Sequence, residues 1–238
     1  EIRLSLVGSE MCIRDSPMTH RTRIKICGLT RPQDVQSAIA AGADAVGFVF
    51  YAKSPRYIAA AAAGQLIAQI PPFVAPVGLF VNATAEEVQA IITQAPIALL
   101  QFHGDETLEQ CAAIAKAVNR PFIRAIRVKE GMQPADLLKY ESDYRAASTL
   151  FTGLLLDTFV DSYGGSGKVF DWSLIPENIA PRVVLSGGLS VQNATDAVQR
   201  VRPYAVDISS GVEQDKGIKD AEKIRAFITA VRAVSYTH

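Results

Sequence analysis

Eight short runs of β-branched and aliphatic residues, each followed by a longer amphipathic segment, limit what this chain can fold into more than any other feature. The runs lie at Ile24–Cys27, Ala45–Phe50, Val77–Val81, Ile97–Phe102, Phe122–Ile126, Gly153–Asp157, Arg182–Ser186 and Ala205–Ser209. Their starts are roughly 20 to 30 residues apart, room for a crossover helix and little more. Strands buried on both faces and joined by helices leave two main architectures, a closed (β/α)8 barrel and an open doubly wound sheet. The count of eight favours the barrel. The first strand agrees, because it ends in Cys27-Gly28-Leu29-Thr30 and lacks the G-x-G-x-x-G turn of an open dinucleotide fold. The expected fold is therefore α/β, a single (β/α)8 TIM barrel with its site at the C-terminal ends of the strands.

Helix starts are legible as well. Thr30-Arg31-Pro32-Gln33 and Thr84-Ala85-Glu86-Glu87 read as capping boxes. Leu108, Cys111, Ala112, Ala115 and Val118 form one helical face after Asp105-Glu106, which puts Cys111 in the core. The 24 basic residues balance the 24 acidic ones and 49% of the 238 residues are apolar, so the chain is neither disordered nor built to coat nucleic acid. No apolar run approaches the ~20 residues of a membrane helix, and three cysteines in a chain of this length suit a reducing compartment. Expected is a cytoplasmic enzyme or binder of a small molecule, monomer or homodimer, without nucleic acid or membrane partner.

Polar and glycine residues gather where the runs end: Cys27, His103, Asp157, Ser186-Gly187-Gly188 and Ser209-Ser210-Gly211. In a barrel these ends converge on one rim. Gly187 and Gly188 follow the seventh strand, and Ser209, Ser210 and Gly211 the eighth, the two places where barrels commonly hold a phosphate on backbone amides. A phosphorylated small substrate is expected. Lys25 and Cys27, two apart, share a strand face, as do Asp207 and Ser209 on the neighbouring eighth strand. Lys25 and Asp207 are expected to pair inside the barrel, either as a structural ion pair or as a device that sets the Cys27 thiol.

The two ends look foreign to the domain. Met11-Cys12-Ile13-Arg14-Asp15 is encoded by ATGTGTATAAGAGAC, which resembles a transposon adaptor from sequencing libraries, and Val234-Ser235-Tyr236-Thr237-His238 is encoded by its reverse complement. Residues 1–17 and 234–238 are expected to be translated adaptor, and 18–233 the barrel domain.

Lys25-Ile26-Cys27-Gly28-Leu29-Thr30, Gly42 to Phe50, Lys53-Ser54-Pro55-Arg56-Tyr57-Ile58, Gln101-Phe102-His103-Gly104, Leu156-Asp157, Tyr163 to Gly167, Leu185 to Leu189 and Val206 to Glu213, in that order, resemble the phosphoribosylanthranilate isomerase family. The match runs from about Arg23 to Val231. It implies a (β/α)8 barrel catalysing an Amadori rearrangement in tryptophan biosynthesis, in a monofunctional chain needing no metal or cofactor. It also implies Asp157 as the acid that opens the ribose ring, Cys27 as the base that removes the C2 proton, and Arg56 as the holder of the anthranilate carboxylate. Gln101 and His103 are carried as substrate-binding, His103 being equally readable as a wall residue. Phe102 departs from the usual Leu, a packing change.

Free Asp titrates near 3.9 and free Cys near 8.5, so the site is expected to shift both, an apolar wall raising Asp157 and cations or amides favouring the Cys27 thiolate. Asp161 to Lys168 reads as a lid or as a plain connector. Two rivals stay open. The sister isomerase of histidine biosynthesis would want two acids and a Gly-Gly pair where Phe80-Val81-Asn82 stands; a non-catalytic barrel would bind a sugar phosphate without turnover.

Overall fold

The computed structural model describes residues 21–158 and 169–235. Eight parallel strands close on themselves in the order β1 (Arg23–Cys27), β2 (Ala45–Val49), β3 (Ala75–Phe80), β4 (Leu99–Phe102), β5 (Phe122–Val128), β6 (Phe151–Thr158), β7 (Val184–Leu185) and β8 (Ala205–Ile208). The closing pair is β1 with β8, in which Lys25 and Asp207 are Cα partners. A barrel with no strand edge leaves no unpaired ladder for another chain to join.

Two cores follow from strand parity. Ile24, Ile26, Val46, Phe48, Leu100, Phe102, Leu154, Leu156, Val206 and Ile208 point outward into the main core beneath the helices, and all are at most 2% exposed. Phe102, the departure from the family's usual residue, belongs here and meets the Phe122 ring edge-on at 5.6 Å. The opposite parity faces the barrel axis, where Ile123, Ala125 and Leu155 form a small second core against Leu99 and Val184. Ala45, Ala75, Gly153 and Ala205 leave space at the N-terminal mouth, a cavity of about 1100 Å³ at the end away from Cys27 and Asp157.

The helices are α1 (Pro32–Ala41), α2 (Ala60–Ile67), α3 (Ala85–Gln94), α4 (Leu108–Val118), α5 (Pro134–Ala147), α6 (Ala194–Val201) and α7 (Ala221–Ser235). Thr84 caps α3 as expected, and Thr107 with Gln110 makes an equivalent box on α4 that the sequence pattern did not bring out. Thr30 does not cap α1. Pro32 is suited to the first helical position, which makes Arg31 the N-cap, and the Thr30 hydroxyl donates to Gly217 O at 3.2 Å instead.

Among the described residues no α-helix lies between β6 and β7. The chain returns through two 3-10 turns, Trp172–Leu174 and Ala180–Arg182, so Arg182 precedes β7 rather than opening it. Helix α7 continues past Ala233, and Val234 is buried in the main core. Beyond the barrel, β9 (Glu213–Asp215) and β10 (Ile218–Lys219) form a small antiparallel ribbon over the C-terminal end of β8. No helix of the described residues is long and apolar enough to cross a membrane.

Candidate active site

Parallel strands deliver their C-terminal ends to one rim, and that rim receives every residue named from the sequence as a candidate acid, base or substrate contact; the candidate lid, 161–168, lies outside the described residues. Cys27 is the last residue of β1. Arg56 stands in the loop after β2, Gln101 in β4 with His103 just beyond it, and Asp157 near the end of β6. Gly187 and Gly188 follow β7, and Ser209 to Gly211 follow β8. Around the closed sheet β6 and β1 are three strands apart, so Asp157 and Cys27 approach the axis from different sides.

Cys27 is 4% exposed and sits over Gly47, where an added Cβ would lie 2.8 Å from its Sγ. Burial pushes the thiol up, against the downward pull of Lys25 and, more weakly, Lys219. The favoured thiolate expected from the sequence is thus corrected: desolvation, with the Asp207 anion, outweighs the cations. Lys25 itself lies below Cys27, with Nζ 2.7 Å from Asp207 Oδ1. Burial pulls its pKa down, but Asp207 and Cys27 more than offset that, and the net direction is up, so it remains an ammonium. The Ser186 hydroxyl donates to the other Asp207 oxygen at 3.3 Å. The expected pair is present, and it abuts the thiol.

Asp157 does not face the apolar wall expected for it. Its side chain keeps 26% exposure, and His103 Nε2 stands 3.1 Å from Oδ2. Behind the imidazole, Gln101 Nε2 lies 2.9 Å from Nδ1. That amide orientation makes Nδ1 the acceptor and leaves the ring proton on Nε2, donated to Asp157. Gln101 is fully buried and its Oε1 has no partner among the described residues, so its one firm contact orients the histidine. Gln101 and His103 therefore serve Asp157 before they serve any ligand. His103 is fixed from behind too: Arg127 Nη2 holds its carbonyl at 3.0 Å, and Arg124 Nη2 holds that of Gly104 at 3.0 Å.

The two glycine loops are shaped by close approach. Gly187 and Gly188 have φ of +80° and +66°, and a Cβ on Gly187 would come within 2.5 Å of Asp157 Oδ1. Neither amide donates to an acceptor among the described residues, and two such N–H groups in succession in a positive-φ turn make an anion-binding arrangement. Gly211 abuts Leu189 O so tightly that a Cβ would fall 2.1 Å from it, which seats the β8 loop against the β7 loop. The chain after β8 continues into one 3-10 turn, Ser210–Val212.

Arg56 does not project into the rim unaccompanied. Nε and Nη2 fork onto Glu213 at 2.6 and 2.8 Å, and Glu213 also accepts from Lys219 Nζ at 2.9 Å. Lys219 Nζ donates to Ser209 O and Oγ at 3.0 and 3.1 Å, while the Ser209 hydroxyl donates to Cys27 O at 3.0 Å. Sequence reasoning gave Glu213 and Lys219 no role. Glu213 at least closes the Val206–Glu213 motif; Lys219 carries no local signal, since only the ribbon turn at Gly217 returns it to the rim. Among the described residues no three His, Cys, Asp or Glu side chains are grouped to hold a metal ion.

Comparison with known proteins agrees with this geometry. The family model described as N-(5'phosphoribosyl)anthranilate (PRA) isomerase matches residues 24–230. An N-(5'-phosphoribosyl)anthranilate isomerase of Herminiimonas arsenicoxydans is 80% identical over 215 residues, 90% of this chain and 95% of the relative. One from Ralstonia nicotianae is 54% identical, over 90% and 94% of the two chains. The crystal structure of phosphoribosyl anthranilate isomerase from Thermotoga maritima superposes with a TM-score of 0.78 at 42% identity, covering 89% of this chain and 99% of that one. Another isomerase structure, in complex with reduced 1-(o-carboxyphenylamino)-1-deoxyribulose 5-phosphate, superposes with a TM-score of 0.73 at 38% identity, covering 89% and 99%. The chain belongs to the N-(5'-phosphoribosyl)anthranilate isomerase family.

Proposed function

We propose that the protein converts N-(5-phosphoribosyl)anthranilate into 1-(2-carboxyphenylamino)-1-deoxyribulose 5-phosphate, the Amadori step of tryptophan biosynthesis. The observation that carries this is the pairing, on one rim, of a buried thiol backed by Lys25 with a carboxylate backed by His103. The Asp157 carboxyl gives its proton to the ribose ring oxygen as the C1–O bond breaks and the amine lone pair forms the Schiff base. The Cys27 thiolate then takes the C2 proton, the freed pair makes the C1–C2 double bond of the enolamine, and tautomerisation gives the ketone. His103 Nε2–H meets the charge left on Asp157. Lys25 meets the charge of the thiolate.

The reactive form carries a proton on Asp157 and none on Cys27. It has the same number of protons as the form with these reversed, so the ratio of the two forms does not change with pH. The amides of Gly187 and Gly188, with Ser209, Ser210 and Gly211, hold the phosphate, and Arg56 takes the anthranilate carboxylate through the guanidinium edge that Glu213 leaves open. No metal or cofactor has a part. All these groups come from one chain, so a monomer or a homodimer would work alike, in the cytoplasm and without nucleic acid or membrane.

A bacterial strain lacking its own phosphoribosylanthranilate isomerase should grow without tryptophan when it carries this chain, and should not when it carries Cys27→Ala. Failure of the wild-type chain to support growth while the protein accumulates folded would refute the proposed reaction.

A further inference from the structure

Three side chains that meet at the edge of the rim bear opposite charges in a ratio that matters for an anionic substrate. Arg56 and Glu213 are joined through two of the three guanidinium nitrogens, Nε and Nη2, and their side chains are 11% and 7% exposed. Such a pair is neutral, and it attracts a carboxylate poorly, because the cation is already matched to an anion. Lys219, with a fully buried side chain, sits on the far side of Glu213 at 2.9 Å. The three together carry one net positive charge. Among the described residues the Arg56 nitrogen left without a protein partner is Nη1, the donor that remains for a ligand.

The arm is also held mechanically. Gly28 has φ +77°, and a Cβ there would stand 2.5 Å from Arg56 Cδ, so the arginine stem lies across the glycine that follows Cys27. Glu213 fixes the guanidinium plane at the other end, and Lys223 Nζ in turn holds the Glu213 carbonyl at 2.7 Å.

We propose that Glu213 and Lys219 set the selectivity for an aromatic amine bearing an ortho carboxylate, Glu213 by fixing the plane of Arg56 and Lys219 by restoring the positive charge that Glu213 cancels. This rests on Arg56 receiving the anthranilate carboxylate and deepens that reading. Neither new residue touches the reacting atoms. Both act through Arg56.

The test compares kcat/KM for the phosphoribosyl amine of anthranilate with that of aniline, which lacks the carboxylate. Any effect of Lys219 on the Cys27 thiol touches both substrates alike and cancels in the ratio. Lys219→Met should lower the ratio about tenfold, Lys219→Arg should hold it, and Glu213→Gln/Lys219→Met, again with one net charge, should recover part of that loss and stop short of wild type, because Gln can accept only one of the two Arg56 bonds. A structural role would move both substrates together and would not be rescued by the second substitution; either result overturns the proposal. If Lys219→Met alone does not fold, the step from Glu213→Gln to Glu213→Gln/Lys219→Met removes the same charge, and the ratio should fall by the same factor between those two variants. Arg56→Met separates the two levels. If it leaves the ratio unchanged, the carboxylate reading of Arg56 fails; if it collapses the ratio while the Lys219 variants do not, only the present proposal fails.

Discussion

Lys25 and Asp207 face each other across the seam where β1 meets β8, in register and with Nζ 2.7 Å from Oδ1, directly below the residue that ends β1, Cys27. Burial pushes the thiol up and Lys25 opposes it. In the reversed-protonation scheme the height of the neutral-pH plateau varies with the thiol ionisation constant, and the alkaline limb reports the thiol itself. The alkaline limb of the profile should lie above the ordinary thiol range. Lys25→Met should move that limb to higher pH and lower the plateau about tenfold for every pH unit the limb moves. The Lys25→Met/Asp207→Asn pair, which leaves no unpaired buried charge, separates this from loss of the fold. Profiles that superimpose on wild type would make the ion pair purely structural.

Cys27→Ser and Asp157→Asn remove proton transfer and leave the phosphate and carboxylate contacts. Each should cut kcat by about 10²- to 10⁴-fold while affinity for the product stays within a few-fold, read by steady-state kinetics and product titration. A comparable loss of product affinity would mean that these side chains bind rather than catalyse.

Gly28→Ala should damage the enzyme without touching a reacting group. The new Cβ would clash with Arg56 Cδ at 2.5 Å in a backbone conformation, φ +77°, that costs an L residue about 1–2 kcal/mol. KM for phosphoribosylanthranilate should rise more than kcat falls. An unchanged KM would show that the Arg56 stem has room to move.

Glu106 should prove necessary for folding. Its carboxylate accepts from Asn82 N at 2.6 Å, Gly104 N at 2.9 Å and Arg124 Nη1 at 2.7 Å, joining the loops after β3 and β4 to β5. Glu106→Ala leaves the buried guanidinium without its anion and should lower unfolding free energy by about 3–5 kcal/mol in a urea titration. A loss below about 1 kcal/mol would contradict this.

The barrel was legible because its strands are buried on both faces and its helices are not. Period two placed Lys25, Cys27, Asp207 and Ser209 on the inner face, and closure alone then paired Lys25 with Asp207. What failed was local. Thr30 resembled a cap until Pro32 fixed the helix start one residue later, and β7 shrank to Val184–Leu185 because Arg182 ends a 3-10 turn and Gly187 turns the chain away.

Loops hid the rest of the site. Arg56 and Glu213 are 157 residues apart and meet through segments with no period, so nothing in either neighbourhood says where its side chain points. Lys219 depends on a ribbon of five residues that the barrel pattern does not require. The expected state of Cys27 was wrong for a different reason: Lys25 on the same strand face read as thiolate support, but the depth of burial that outweighs it is a property of packing and cannot be counted from residue types.

The most direct measurement is the loss of anthranilate fluorescence when freshly generated phosphoribosylanthranilate meets the protein in EDTA. Enzyme-dependent decay that is saturable, survives the chelator and vanishes with Cys27→Ala is the expected result. Decay no faster than the spontaneous rate, from a folded protein that still binds the reduced product, would contradict the isomerase and leave only a barrel that binds a sugar phosphate.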